Sequence, residues 1–299
     1  LGGMFIGVLL MAGATSLPEL LTAISSIKQG LPNLTAGDLL GSNMYNMFLL
    51  AALDLAFYKQ RILRSSLLRH ALSGSLAIFM ISLVVFFTLA NIDLMLGWVG
   101  IDSLVLILTY IVAIRLIYSN LQKADKTSQP SKPEIPKGTP SLATGLLGFL
   151  VASVVLIVTT PHMVSSSNQI AEITGLGTTF VGTAMVAVVT SMPELVATVA
   201  AAKIGAADMA IGNLFGSNMF NMFTLGLADI FFTSGRFLGV IDTTFLLVAA
   251  LGLLMTGLAL IGNIARLERK IFFVEIDALI LIILHIGGLY FLFSQGIAK

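Results

Sequence analysis

Two glutamates, Glu19 and Glu194, lie in strongly apolar stretches of the sequence, in the matching contexts TSLPE and TSMPE. A charged side chain at the centre of a bilayer costs about 2.5–3.5 kcal/mol on insertion scales, and acids retained there usually mark an ion path. The alternative is a protonated glutamic acid that is bonded to a neighbouring helix. Because the motif carries the acid twice, we favour an ion path.

Hydroxyl groups accompany both acids. Thr15 and Ser16 precede Glu19 by four and three residues, so on a helix the three side chains share one face. Thr190 and Ser191 stand in the same relation to the second glutamate. Carboxylate and hydroxyl oxygens suit hard cations, and Ca²⁺ takes about six to eight oxygen ligands.

A proline directly precedes each glutamate. A proline inside a helix removes the hydrogen bond to the carbonyl four residues back, so Pro18 should free Ala14 and Pro193 should free Val189. Transporters coordinate cations through such carbonyls in broken helices near the midplane. A simple structural kink is the alternative for either proline taken alone.

A second element follows each glutamate motif, GDLLGSNMYNM in the first case and GNLFGSNMFNM in the second. Its serine and asparagine are four residues apart and can add oxygens from one helix face. These candidate ligands are Ser42, Asn46, Ser217 and Asn221. Glycines and asparagines also serve packing and hydrogen bonding between membrane helices, and this is our interpretation of Asn43 and Asn218.

The remaining acids of the apolar segments are interpreted as structural. Asp54 and Asp229 lie near the ends of predicted spans, where we expect an interfacial position. Asp102 and Asp277 begin helices, where a carboxylate suits the positive end of the helix dipole. Asp38 is aligned with an asparagine in the second element, so that position is chemically unequal between the two elements.

The two motif pairs belong to an internal repeat. Residues 15–57 align without a gap on residues 190–232, an offset of 190 − 15 = 175, and 19 of the 43 positions are identical. Each copy is the fifth predicted span after its original in chain order. Because five is odd, the copies cross the membrane in opposite directions, which is the inverted-repeat architecture of alternating-access transporters.

Composition indicates an integral membrane protein of the all-α class, since 57% of the residues are hydrophobic and only 10% are charged. A helix needs about 20 apolar residues to cross a bilayer, and alternation typical of a strand barrel is missing. Nine predicted spans lie roughly at 2–27, 36–57, 71–90, 95–118, 142–164, 177–202, 208–232, 240–264 and 271–294. The offset predicts a further helix before residue 1, hence a five-plus-five arrangement of ten helices of which nine are in this chain.

Residues 123–140 contain four prolines and four lysines and are predicted to form a mobile, extended linker. They divide a first membrane repeat, 1–122, from a second, 141–299. Thirteen of the sixteen Lys and Arg residues fall on the face that carries this linker, leaving Lys28, Arg236 and Lys299 opposite. The positive-inside rule therefore makes the linker cytoplasmic and the C-terminus external.

Several classes of function are disfavoured. The chain has no cysteine, its three histidines show no metal-ligand spacing, and its net charge of +1 does not indicate nucleic-acid binding. An enzyme is not expected, because no HExxH or comparable catalytic set is present. We expect no cofactor.

The duplicated TSLPE and TSMPE motifs, each followed by a GSNMxNMF element, resemble the two alpha repeats of the calcium/cation antiporter superfamily, and most closely its prokaryotic sodium/calcium exchanger branch. The resemblance covers nearly the whole chain. It implies ten helices and four ion sites arranged as a diamond between the first, second, sixth and seventh helices of this chain. It also implies a prokaryotic inner or plasma membrane.

The resemblance further implies the ion ligands. Glu19 and Glu194 become the shared carboxylates, with hydroxyl or carbonyl ligands from Thr15, Ser16, Thr190 and Ser191. The diamond is completed by Ser42, Ser217, Asn46 and Asn221, with the carbonyls of Ala12 and Ala187.

One position departs from several relatives, which have an aspartate where this chain has Asn221. The site is therefore predicted to hold two acids and not three. Two carboxylates neutralise one Ca²⁺ or two Na⁺, so we expect exchange closer to electroneutral than in those relatives.

The function expected from the motifs is exchange of Ca²⁺ for Na⁺ by secondary active antiport. Exchange of Ca²⁺ for H⁺, with Glu19 and Glu194 loading protons, is a rival of the same class. A cation channel is disfavoured because the inverted repeat is an architecture of alternating access.

Overall fold

A computed structural model describes residues 11–57, 70–127, 141–265, 270–271 and 274–297. The described residues are almost entirely helical, with two short antiparallel hairpins. In chain order the elements are α1 Met11–Thr15, α2 Leu17–Lys28, α3 Pro32–Ala56, α4 Ala71–Ala90, β1 Met95–Leu96, β2 Val99–Gly100, α5 Ile101–Thr127, α6 Leu142–Thr174, α7 Gly177–Val181, a π-helix Gly182–Val186, α8 Ala187–Thr190, α9 Met192–Lys203, α10 Ala207–Phe231, α11 Phe237–Val240, α12 Phe245–Ala265, β3 Lys270–Ile271, β4 Val274–Glu275 and α13 Ile276–Ile297.

The sequence repeat recurs as a structural repeat with the same offset. Helix α3 and helix α10 begin and end 175 positions apart, as do the two hairpins. The first hairpin pairs Met95 with Gly100, and the second pairs Lys270 with Glu275. These hairpins were not predicted, and the spans expected from residues 95 and 271 therefore begin as helices only at Ile101 and Ile276.

The described residues include six helices that are long and apolar enough to cross a membrane: α3, α4, α5, α6, α12 and α13. The helical segment from Gly177 to Lys203, bent by 43°, is a seventh if it is counted as one span. The chain is thus a polytopic helical membrane protein. Helix α10 has the same 25-residue length as α3, and the first ten residues of the chain lie outside the described residues.

Two predicted boundaries were wrong. Helix α5 continues to Thr127, so residues 123–127 are helical and not extended; residues 128–140 of the predicted linker lie outside the described residues. Helix α6 continues ten residues beyond the predicted end at 164, to Thr174, with Pro161 inside it. A long helix can contain a proline when the backbone hydrogen bonds of its other turns are kept.

Helix α3 is the most buried of the long apolar helices: 78% of the residues in its 18-residue apolar stretch are buried. In the corresponding stretch of α6, none of the residues is buried. The close approach of α3 to the second repeat depends on glycine. A Cβ atom at Gly41 would lie 2.6 Å from the carbonyl oxygen and 2.7 Å from the Cα of Thr183, in the π-helix. Only glycine lets the two backbones meet at this distance.

Acidic groups near the helix ends are buried and organise loops. Asp54 and Asp229 lie near the ends of their helices, as expected, and both are buried within the protein, at 2% and 0% exposure. Asp229 accepts hydrogen bonds from the amides of Gly100 at 2.6 Å and Phe237 at 2.7 Å. Asp102 begins α5 as expected and pairs with Arg236 at 3.2 Å. These bonds hold the first hairpin against the loop after α10.

Candidate ion-binding site

Two broken helices supply the glutamates. Helix α1 passes into α2 at Ser16, and α8 passes into α9 at Ser191, each through one residue with ψ of 13° or 11° in place of a helical value. The amides of these serines still bond to the carbonyls of Ala12 and Ala187. Each new helix has its proline within its first two positions and its glutamate in its first turn.

The two breaks face each other and exchange hydrogen bonds. The Ser16 hydroxyl donates to Oε1 of Glu194 at 2.6 Å, and the Ser191 hydroxyl donates to Oε1 of Glu19 at 3.0 Å. All four side chains are fully buried. A reciprocal pattern, in which each element makes on its partner the contact that it receives, is the signature of a two-fold axis. The structure therefore brings the two glutamates together across a pseudo-two-fold axis.

The threonines before the breaks make a second reciprocal pair. Thr15 donates to Oδ1 of Asn213 at 3.3 Å, and Thr190 donates to Oδ1 of Asp38 at 2.8 Å. The same hydroxyls also lie within 3.2 Å and 3.3 Å of the carbonyl oxygens of Ala12 and Ala187, respectively. The two carbonyls implied as ligands thus lie beside the hydroxyls implied as ligands.

The serines of the second element complete this layer. The Ser217 hydroxyl donates to Oε1 of Glu194 at 3.1 Å, within its own repeat. The Ser42 hydroxyl lies 3.5 Å from the carbonyl oxygen of Ala187, at the limit of a hydrogen bond. Both serines are fully buried, so helices α3 and α10 each present a hydroxyl to the glutamate layer.

Four asparagines form a third reciprocal set. The Asn46 amide donates to Oδ1 of Asn218 at 2.9 Å, and the Asn221 amide donates to Oδ1 of Asn43 at 3.0 Å. Asn218 also donates to the backbone carbonyl of Asn43 at 3.5 Å. The geometry supports the interhelical role expected for Asn43 and Asn218. Their side-chain oxygens accept hydrogen bonds from the NH₂ groups of Asn221 and Asn46, respectively. The side-chain oxygens of Asn46 and Asn221 have no hydrogen-bond partner.

Five of the buried side-chain oxygens without a hydrogen-bond partner lie around the glutamates and the asparagines. They are Oε2 of Glu19, Oε2 of Glu194, Oδ2 of Asp38, Oδ1 of Asn46 and Oδ1 of Asn221. An unpaired buried acceptor costs about 1–3 kcal/mol, and more when it is charged. A set made only of oxygens, with carboxylates and carbonyls nearby, suits a hard cation such as Ca²⁺ or Na⁺.

Asp38 is a carboxylate that the sequence analysis left out of the site. Its side chain is fully buried and its charge acts on both Glu19 and Glu194. The prediction of two acids counted only the glutamates, whereas a third buried acid, Asp38, approaches the same layer from α3. Its spacing could have indicated this: Asp38, Ser42 and Asn46 follow one another at intervals of four, which places them along one helix face.

The acids of this site do not form a compact cluster of three. Within the described residues, no group of three or more His, Cys, Asp and Glu side chains is arranged as a metal cluster. Ligation of one ion by three acids alone is thus not what the structure offers. Hydroxyl groups contact each of these acids, so a bound cation would have neutral oxygens as well as carboxylates for ligands.

The sequence matches the family described as sodium/calcium exchanger protein over residues 1–119 and 144–294, which include both breaks and both asparagine elements. This chain belongs to the sodium/calcium exchanger protein family. The family consists of membrane exchangers of Ca²⁺ and other cations, and the relatives of this chain are prokaryotic.

Relatives in the family carry several names. The putative antiporter CaxA of Alkalimonas amylolytica is 26% identical over 98% of this chain and 88% of its own length. The uncharacterized membrane protein MJ0091 of Methanocaldococcus jannaschii is 27% identical over 72% of this chain, and the chain spans 66% of that protein's length. The sodium/calcium exchanger MaX1 of Methanosarcina acetivorans is 38% identical over 30% of this chain and 26% of its own length.

A solved structure of the sodium-calcium exchanger NCX_Mj, soaked with Na⁺ and Sr²⁺, has the same fold. It superposes with a TM-score of 0.59 and 22% identity, covering 96% of this chain and 86% of NCX_Mj. At this identity the likeness establishes the architecture, an inverted repeat of membrane helices.

Proposed function

We propose that this protein exchanges Ca²⁺ for Na⁺ across the membrane by alternating access. The observation that carries the proposal is the reciprocal pair of hydrogen bonds, from Ser16 to Glu194 and from Ser191 to Glu19. It assembles one buried, oxygen-lined site from both repeats, at the position where inverted-repeat transporters bind their substrates.

The ligands that we assign are the sequence-predicted set. Glu19 and Glu194 supply the charge that neutralises Ca²⁺. Neutral oxygens come from Thr15, Ser16, Thr190, Ser191, Ser42, Ser217, Asn46, Asn221 and the carbonyls of Ala12 and Ala187. Removing an ion would leave two glutamates in a fully buried place, so the site binds either its divalent or its monovalent substrate in turn.

Symmetry supplies the alternation. Because each repeat contributes an equivalent broken helix, a small change in one repeat relative to the other can open the site to one side while closing it to the other. A channel needs both sides open at once, and the continuous packing of α3 against the π-helix at Gly41 opposes that.

Exchange of Ca²⁺ for H⁺ is the second candidate. The supporting observation is that the Ca(2+)/H(+) antiporter ChaA of Bacillus subtilis is 24% identical over 78% of this chain. In that case the carboxylates Glu19 and Glu194 would carry protons in place of Na⁺. We favour Na⁺ because of the neutral oxygens around the acids, which a proton does not require.

Coupling is tested with the purified protein in sealed vesicles. We expect calcium-45 uptake to follow an imposed Na⁺ gradient and to be unaffected by a pH gradient at constant Na⁺. Uptake that follows only the pH gradient would assign the second candidate. Calcium-45 entry that requires neither the Na⁺ gradient nor the pH gradient would favour a channel.

For the orientation, we propose a prokaryotic inner or plasma membrane, with residues 123–140 on the cytoplasmic side and the C-terminus outside. The thirteen-to-three distribution of Lys and Arg supports it.

A further inference from the structure

Asp38 is the acid that distinguishes the two halves of the site. Its counterpart by the 175-residue offset is Asn213, and both side chains accept a hydrogen bond from a threonine of the opposite repeat. The hydrogen-bonding geometry is therefore shared, whereas the charge is present on one side only. A structural role limited to accepting the threonine proton would be met equally well by asparagine, as the second repeat shows.

The Asp38 carboxylate has no cationic partner among the residues that the structure describes. Within the described residues, no lysine or arginine forms an ion pair with Asp38, Glu19 or Glu194; the recorded pairs are Arg236 with Asp102 and His70 with Asp208. Asp38 is fully buried, and its Oδ2 has no hydrogen-bond partner. A charged carboxylate in this position needs a counter-charge unless it is protonated, and a bound cation would supply that charge from outside the chain.

Oxygens next to Asp38 outline a place for a cation. The Thr190 hydroxyl, 2.8 Å from Oδ1, also lies 3.1 Å from the carbonyl oxygen of Val186 and 3.3 Å from that of Ala187. These carbonyls belong to the π-helix and the short helix α8 just before the break. Such local irregularities of a helix are frequent at functional sites.

From these observations we infer that Asp38 is a ligand for a third coupling ion, a monovalent hard cation, beside the Thr190 hydroxyl. The inference rests on the proposed exchange function and deepens it. With Glu19, Glu194 and Asp38 the site carries three carboxylates, so three monovalent cations neutralise it. Ca²⁺ replaces them with two positive charges, and each cycle then moves one net charge across the membrane.

The inference reverses the expectation of nearly electroneutral exchange. That expectation counted only the two glutamates, since Asn221 is neutral. In this chain the third charge lies at Asp38 on α3, in the first repeat, while the amide of Asn221 on α10 is occupied by Asn43. The charge is thus present but in a different half of the site.

The first test measures binding, so that it does not depend on transport. Equilibrium binding of sodium-22 to the purified protein is compared with that of Asp38→Asn, which keeps size and the Thr190 hydrogen bond. We expect one Na⁺ fewer per chain in the variant at saturation. Equal numbers in the two proteins would overturn the inference.

The second test measures charge movement. Na⁺-driven calcium-45 flux is followed in vesicles while K⁺ and valinomycin set the potential. We expect the wild-type flux to depend on potential, and the Asp38→Asn flux to lose that dependence together with about one unit of its Hill coefficient for Na⁺. A wild-type flux that is indifferent to potential would overturn the inference whatever the variant does.

A double variant distinguishes loss of the charge from a folding defect. Asp38→Asn combined with Asn213→Asp moves the carboxylate to the position related by the pseudo-two-fold axis. We expect it to regain the third Na⁺ and the voltage dependence. Absence of any gradient-driven flux in the wild type, with three Na⁺ still bound, would contradict the proposed exchange function while leaving the role of Asp38 supported.

Discussion

Ser16 of the first repeat donates its hydroxyl proton to Oε1 of Glu194 in the second, across 2.6 Å and 178 residues of sequence. The equivalent bond runs in the other direction from Ser191 to Glu19. Neither repeat completes the environment of its own glutamate. The geometry therefore couples the two repeats at the acids themselves, which is where a change in bound ion alters charge most.

Neutralising either glutamate should abolish Ca²⁺ transport. In Glu19→Gln or Glu194→Gln, one of the charges facing the divalent ion is lost in a buried site where ion interactions are strong. We expect calcium-45 flux at background level, with unchanged membrane insertion and elution as a folded protein.

The matched control is Glu172→Gln, an exposed acid of α6 that bonds to Asn168 in the same helix. It should exchange like the wild type. Normal flux in both site variants would refute the assigned role of the glutamates.

Removal of either bridging serine should weaken Ca²⁺ binding to a similar degree. Hydrogen bonds to charged groups contribute about 1.5–3 kcal/mol, so Ser16→Ala and Ser191→Ala should each raise the Ca²⁺ dissociation constant roughly tenfold or more. Titration of the purified protein with Ca²⁺ measures this.

The control for the serines is Ser153→Ala, whose hydroxyl bonds only to the Phe149 carbonyl of its own helix. Affinity should not change in it. A large effect at Ser16 with none at Ser191 would contradict the two-fold arrangement.

Asn43 is expected to act by orienting Asn221. In Asn43→Ala the NH₂ group of Asn221 loses its acceptor, so its oxygen is no longer directed to the site. We expect weaker Ca²⁺ binding without loss of the assembled protein, and recovery of part of the affinity in Asn43→Asp, which restores an acceptor. Wild-type affinity in Asn43→Ala would limit this residue to packing.

The contact at Gly41 should be intolerant of a methyl group. In Gly41→Ala the new atom meets the backbone of Thr183 at 2.6–2.7 Å, and backbone cannot rotate away as a side chain can. Overpacking of this kind costs about 1–3 kcal/mol, so the thermal unfolding temperature in detergent should fall.

Gly148→Ala is the control for Gly41, because nothing lies within 4 Å of a Cβ at that helical position. Alanine is the better helix former by about 1 kcal/mol, so stability should be unchanged or slightly higher. Equal unfolding temperatures for the two variants would contradict the close packing of α3.

The proposed topology can be tested by labelling, because the chain has no cysteine of its own. We expect Lys132→Cys to react with a membrane-impermeant maleimide only from the cytoplasmic side, and Lys299→Cys only from the opposite side. Labelling of both from one side would overturn the orientation derived from the positive charges.

Much of this protein was determined by its sequence alone. Apolar runs, the 175-residue offset and the paired motifs predicted an inverted helical repeat. Both predicted helix breaks occur, at Ser16 and Ser191, two residues before Pro18 and Pro193. Hydrophobicity and proline chemistry act within a few turns of one helix, and the repeat is found by aligning the sequence with itself, so none of these features requires knowledge of the packing. For the same reason the interhelical role of Asn43 and Asn218 could be anticipated from residue type.

The tertiary structure decided what depends on partners distant in sequence. The π-helix before α8, the two hairpins and the continuation of α5 to Thr127 were not indicated by any local pattern of the sequence. Asp38 is the clearest case. By alignment it is the unequal member of the GDLLGSNMYNM element, on the same helix face as Ser42 and Asn46. The approach of Thr190 from the opposite repeat, 152 residues away, is what the sequence did not reveal. A charge is assigned to an ion site by its neighbours in space, and those are set by how two helices from different halves of the chain pack together.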